Sequence, residues 1–304
     1  MTQAPAIAQP EPTPAADPSA EQPSKPADLI RWLRPARAMA ARDLLRFARQ
    51  PTRIASAILT PLLFWLMLGY GFGTAFQPGA AVDAPPAEVT EATAEAAAQA
   101  PASPTYAAYL LPGSALLMVM FTAIFATIGV IEDRREGFLQ AVQVSPAPPG
   151  AIVAGKVAAA ALLAVAQAAV LLAVGWLFTG TLSGWPQAVL ALAALTVAAV
   201  AFAGVGLAAA WVMKSTASYH AGMMIVLMPA WAVSGAVFPL ATAPPAMQAV
   251  MYANPATYLQ SITAFAVLGP SSAELLMPLW LAAPAALLVA AAALRLARSA
   301  VAAR

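Results

Sequence analysis

The 304-residue chain contains no cysteine and a single histidine, His220. Disulfides, thiolate-zinc sites and iron–sulfur clusters are thereby excluded, and no histidine cluster can hold a metal. Charge is scarce as well: Asp, Glu, Lys and Arg make up 9% of the residues, against about a quarter in soluble domains. In their place stand 61% hydrophobic residues and a mean hydropathy of +0.75. That composition argues against a water-soluble globule, and against disorder over most of the chain. It belongs to a membrane protein.

Residues 1–27 are an exception, rich in Pro, Ala, Gln and Glu. A stretch of this kind cannot bury enough apolar surface to offset its ordering entropy, so a flexible cytoplasmic tail is expected. A basic start followed by an early apolar run is missing too, which argues against a secretory signal peptide.

A bilayer core about 30 Å thick needs roughly 20 apolar helical residues to cross it. Six segments qualify: 54–76, 107–130, 157–177, 187–212, 221–240 and 275–294. All 15 Lys and Arg residues lie before the first segment, between the second and third, between the fourth and fifth, or after the sixth. The other connections hold none, and the first of them carries Asp83, Glu88, Glu91 and Glu95. By the positive-inside rule both termini are cytoplasmic. The expected fold is therefore all-α: a polytopic membrane protein with a six-helix transmembrane domain over 54–294 and a cytoplasmic tail over 295–304. Segment 247–268 is interrupted by Asn254-Pro255 and closed by Gly269-Pro270. It reads as short external re-entrant helices before the last span.

None of the six spans holds Asp, Glu, Lys, Arg or His in its core, and Gln167 is the most polar group well inside one. Ion-coupled carriers hold their ion on such residues, so that class is disfavoured. No zinc-protease or serine-triad pattern appears either. The run Gly150–Val157 imitates a phosphate loop, but it has Val157 where Ser or Thr must hold magnesium, and no strand precedes it. It reads as a cytoplasmic loop. No cofactor, metal or catalytic residue is expected in this chain.

Two cytoplasmic features carry the functional reading. Arg42, Arg46, Arg49 and Arg53 recur at helical spacing, with Ala40, Leu44, Phe47, Ala48 and Pro51 on the opposite side. Residues 28–53 therefore read as an amphipathic interface helix with a break near Pro35, its apolar side in lipid and its arginines toward headgroups or a partner. The second feature is Glu132-Asp133-Arg134-Arg135-Glu136-Gly137. Five consecutive charges of both signs, followed by the apolar run 138–142, are what docking to a cytosolic protein would use.

In this order the elements resemble the membrane subunit of the ABC type-2 transporter permeases, exporters of drugs, lipids and glycans. Ala41-Arg42-Asp43-Leu44 with Arg49-Gln50-Pro51 resembles the family's interface helix, and Tyr109–Gly113 the start of its second span. The run 132–137 with Ser145-Pro146 and Gly155-Lys156 resembles the first cytoplasmic loop. Ser234-Gly235, Phe238-Pro239-Leu240 and Asn254–Tyr258 resemble the fifth span and the external re-entrant region, with Asn254, Pro255 and Tyr258 as its marked positions. The resemblance implies that the loop is a coupling helix driven by a separate ATP-binding subunit, which holds the ATP and magnesium. It implies two permease chains facing each other in the inner membrane of a prokaryote, and no nucleic acid. Efflux of a hydrophobic or amphiphilic substrate would then pass apolar surface including Phe121, Phe125, Met228, Trp231 and Phe238. A membrane scaffold or sensor and an ion-coupled carrier are the alternatives.

Overall fold

The computed structural model describes residues 25–71, 105–138, 148–182, 184–270 and 278–302. The expectations placed on residues 1–24, on the acidic external loop and on Leu139–Val142 and Ser145-Pro146 lie outside the described residues, whereas 25–27 of the expected N-terminal tail already belong to the first helix. Within them every regular element is helical. The chain runs through α1 (Lys25–Ala48), α2 (Pro51–Gly71), α3 (Tyr106–Ala126), α4 (Gly129–Arg135), α5 (Pro149–Thr179) and α6 (Trp185–Val212). It continues with α7 (Thr216–Trp231), a π-turn (Ala232–Ala236), a 3-10 turn (Leu240–Thr242), α8 (Pro245–Ala253), α9 (Pro255–Leu268) and α10 (Leu279–Ala302). Helices α2, α5, α8 and α9 begin on a proline, whose missing N–H costs nothing in a first turn.

Helix α3 is the centre of the bundle. It is apolar on all sides, and nearly every residue from Tyr106 to Ile124 is buried, as expected of a helix without a polar face. Around it pack α2, α5, α6 and α9. Five stretches are long and apolar enough to cross a membrane: Ile54–Gly71, Tyr106–Arg135, Gly150–Thr179, Trp185–Val212 and Leu279–Leu296. The chain is thus a multi-pass membrane protein.

The segment expected as the fifth span, 221–240, takes a different form. Helix α7 starts earlier, at Thr216, and has 16 residues, about 24 Å at 1.5 Å per residue. It then opens into the π-turn, where Gly235 has φ +89°. Glycine tolerates that left-handed conformation without a Cβ penalty, and the α-helix ends there. Beyond it, 247–268 is split into α8 and α9 at Asn254, whose side-chain oxygen accepts from the Ala256 N–H.

Two further expectations change. The interface helix ends at Ala48 and a second helix begins at Pro51, so Arg53 belongs to α2 and the four-arginine stripe is not continuous. It runs unbroken through Pro35, and part of its apolar side, Ala36 and Met39, is buried against α5 instead of facing lipid. The approach is close: a Cβ on Gly155 would lie 2.5 Å from the Ala36 carbonyl oxygen. The imitation phosphate loop is no loop either, but the first two turns of α5.

Candidate functional site

Where α1, α4 and α5 meet, six charged side chains form one network. Asp133 is fully buried and accepts from Arg42 at 2.7 and 3.2 Å, from Lys156 at 2.9 Å and from Arg46 at 3.4 Å. Arg46 also donates to Glu132 at 2.7 Å, and Lys156 to Asp43 at 3.2 Å. Three cations thus meet three anions. A carboxylate buried without such partners would be strongly destabilising. Arg42 and Arg46 lie one helical turn apart and so reach the same target. The hydrogen bond that Arg42 donates to Asp133 holds its guanidinium above the ordinary pKa, against the opposing effect of burial. Its other face covers the Phe138 ring, 3.9 Å from the centroid. Beside the network a cavity of about 40 Å³ is lined by Asp43, Arg46, Gln50, Thr127, Glu132 and Lys156, room for little more than water.

The next residue, Arg134, points the other way. It donates to the carbonyls of Ala210 at 2.6 Å, Trp211 at 2.8 Å and Met213 at 2.9 Å. These are carbonyls at the C-terminal end of α6, which lack partners within their own helix and favour a cation. Arg135 donates to the Lys214 carbonyl at 3.1 Å. Close by, the buried Tyr219 hydroxyl of α7 donates to the Ile124 carbonyl at 3.0 Å and sits 2.9 Å from the Thr127 hydroxyl. The side chains of Arg135 and Glu136 remain exposed at the tip of α4.

A groove of about 540 Å³ opens between α1, α2, α3 and α7, lined among others by Phe47, Ser56, Thr60, Phe121, Phe125 and His220. Three of its rings are stacked: Phe121 on Phe125 at 5.5 Å and Phe125 on His220 at 4.3 Å. At the other end of α7, the π-turn is held by α3. Tyr109 donates to the Gly235 carbonyl at 2.6 Å, and the Trp231 indole to the Gly113 carbonyl at 2.8 Å. Asn254 donates to the Ala230 carbonyl at 2.6 Å.

The family model described as ABC-2 type transporter matches residues 35–267. That range takes in most of the chain, from α1 to the end of α9. The chain belongs to the ABC-2 type transporter family. Comparison with curated protein sequences gives no match. As an ABC-2 membrane domain it is a transport subunit, and membership implies partnering with an ABC ATP-binding subunit.

In this ABC-2 permease chain the residues singled out from sequence separate into groups. Arg42 and Arg46 meet Glu132 and Asp133 in the network, whereas Arg49 is exposed and the Arg53 side chain lies outside the described residues. Of the charged run, Asp133 and Arg134 are engaged within the chain, so it is not a freely solvated docking patch. Arg135 and Glu136 are presented outward, followed by the half-buried Gly137 at φ +76°. Phe121 and Phe125 share the groove; Met228 lies at the surface. Trp231 is buried, and Phe238 packs against a separate small cluster of Leu240, Met251 and Ala282. Asn254 joins α7 to Pro255 and α9, while Tyr258 donates to the Tyr252 carbonyl. Sequence reasoning missed Asp43, Lys156, Thr127, Tyr219 and His220 as members of these sites. For Lys156 a signal existed: a lone cation at the head of a long apolar helix needs a counter-ion.

Proposed function

We propose that this chain is the membrane-spanning half of an ATP-driven exporter, with α4 as the element that receives motion from the ATP-binding subunit. Helix α1 clamps α4 in place through the Arg42–Asp133 pair. The reading rests chiefly on one observation: α4 is tied down by Asp133 and Arg134 on its inner sides while Arg135 and Glu136 stay exposed at its tip. A rigidly held helix with a charged free end transmits force; a solvated loop would yield.

In this reading α7 and the π-turn supply the sixth span, which keeps both termini on the inner side with the Lys and Arg residues. Helices α8 and α9 form the external re-entrant region. Two chains face each other in a prokaryotic inner membrane, each beside an ATP-binding subunit that holds ATP and magnesium. The groove of Phe121 and Phe125 is the surface for a hydrophobic or amphiphilic cargo, a class that includes drugs, lipids and glycan carriers.

Co-expression with the ATP-binding subunit tests the reading. Glu136→Arg and Arg135→Glu should insert normally yet lose the subunit on purification and lose ATP-dependent export. Full retention of both by the charge-reversed proteins would refute the docking role. For topology, a cysteine in place of the exposed Tyr252 on α8 should be labelled from the outer side only; labelling from inside would overturn the six-span reading.

A further inference from the structure

Helix α7 is lightly packed between two ties to α3, Tyr219 near one end and Trp231 at the other. Its buried residues are Tyr219, Met223, Leu227 and Trp231, a single stripe at four-residue spacing, so most of its surface is not locked into the bundle. Both of its ends are non-helical. At the inner end Met213 and Ser215 are extended, with φ −73°, ψ 144° and φ −136°, ψ 148°. At the outer end stands the π-turn with Gly235 at φ +89°. Hinges are a few such terminal residues that absorb backbone rotation, and π-turns inside helices recur at functional positions.

Arg134 reaches the inner hinge. Its guanidinium spans the Ala210, Trp211 and Met213 carbonyls, and Met213 is the residue where α6 gives way to the connection into α7. Arg135 adds the Lys214 carbonyl two residues before α7 begins. Backbone acceptors make this contact insensitive to side-chain rearrangement, because a carbonyl moves only when its chain segment moves. Just beyond the hinge, Tyr219 anchors α7 to the bundle, its hydroxyl lying 3.0 Å from the Ile124 carbonyl and 3.2 Å from the Gly206 carbonyl of α6. Asp133, one residue earlier, faces α1 and α5. Helix α4 therefore grips the static bundle with one side chain and the α6–α7 hinge with the next.

The geometry points to Arg134 as the positioning residue that converts displacement of α4 into rotation of α7 about its two hinges. This rests on the proposed docking of the ATP-binding subunit at α4 and specifies where the motion goes. Coupling between separated sites requires an element with two arrangements that both sites bias; α7 is that element, and its wall carries the His220 side of the groove. Movement of α7 would separate His220 from Phe125 and open the groove.

The chain has no cysteine, so a pair introduced at Leu162 on α5 and Ser218 on α7 can be spin-labelled without background; both side chains are exposed. The inter-label distance is measured in the complex with the ATP-binding subunit, with and without MgATP plus vanadate. Wild type should show a nucleotide-dependent shift. In Arg134→Gln complexes that contain the ATP-binding subunit the shift should be lost, and Arg134→Lys should restore part of it. Arg134→Met, which keeps the aliphatic stem and removes the guanidinium, should lose the shift too and serves as the second variant if Arg134→Gln fails to fold. A wild-type shift retained in Arg134→Gln or Arg134→Met overturns the proposal alone. Wild type that binds no ATP-binding subunit, or shows no shift, overturns the docking reading beneath it as well.

Discussion

Lys156 donates to Asp133 at 2.9 Å, with 4% of the lysine side chain and none of the aspartate exposed. Such a pair is weak evidence for net stability, because both charges have lost their water. Its value lies in what happens when one partner goes.

Asp133→Ala should be the most destabilising single change in the network, since Arg42, Arg46 and Lys156 all converge on that carboxylate. Leaving buried charge uncompensated costs about 3–5 kcal/mol. Glu132→Gln touches only the Arg46 pair, whose side chains are 36% and 43% exposed, and exposed pairs are worth about 0–1 kcal/mol. Thermal unfolding of purified protein in detergent should rank Asp133→Ala far below Glu132→Gln. Equal melting temperatures would contradict the network as described.

At the π-turn that ends α7, Gly235→Ala forces a Cβ into φ +89°, which costs about 1–3 kcal/mol. Tyr109→Phe removes the donor to the Gly235 carbonyl and should cost about 1 kcal/mol, or more if that buried carbonyl finds no other donor. Both changes should lower the melting temperature of the purified protein. If Gly235→Ala matches wild type, the π-turn is not the conformation the protein holds.

Phe121→Ala and Phe125→Ala should weaken stimulation of ATP hydrolysis by apolar compounds while leaving the fold stable, because both rings line the groove. Trp231→Phe should do the reverse. Its indole N–H donates to the Gly113 carbonyl and its side chain is 3% exposed, so its loss is felt in stability. ATP hydrolysis with a panel of apolar compounds, set beside melting curves, separates the two roles. Unchanged stimulation in the Phe121→Ala and Phe125→Ala proteins would exclude the groove as the cargo surface.

How much could be read from the chain alone follows from the kind of constraint involved. The membrane-crossing helices were legible because the bilayer demands long apolar runs, and five of them stand in the structure. The facing of Arg42 and Arg46 was legible too, as it needs only helical spacing. Their partner was not: Asp133 lies 91 residues from Arg42, and local periodicity carries no information at that range. Lys156 was misplaced in a loop because Gly150 and Gly155 look like breakers, whereas Gly155 is there to let α1 approach. The C-terminal end of α7 was hidden for a similar reason. Ser234-Gly235 sits inside an apolar run that satisfies the length rule, and only the positive φ of Gly235 shows that the α-helix stops.

The tip of α4 is where the account is most exposed to test. A single cysteine in place of Glu136, in a chain that otherwise has none, can carry a photo-crosslinker in native membranes that also contain the ATP-binding subunit. The measurement is the covalent adduct after illumination, compared with a cysteine in place of the exposed Tyr252 on α8. The account predicts an adduct with the ATP-binding subunit from position 136 and none from position 252. Failure to form it at position 136, with the subunit bound, would contradict the assignment of α4 as the docking element.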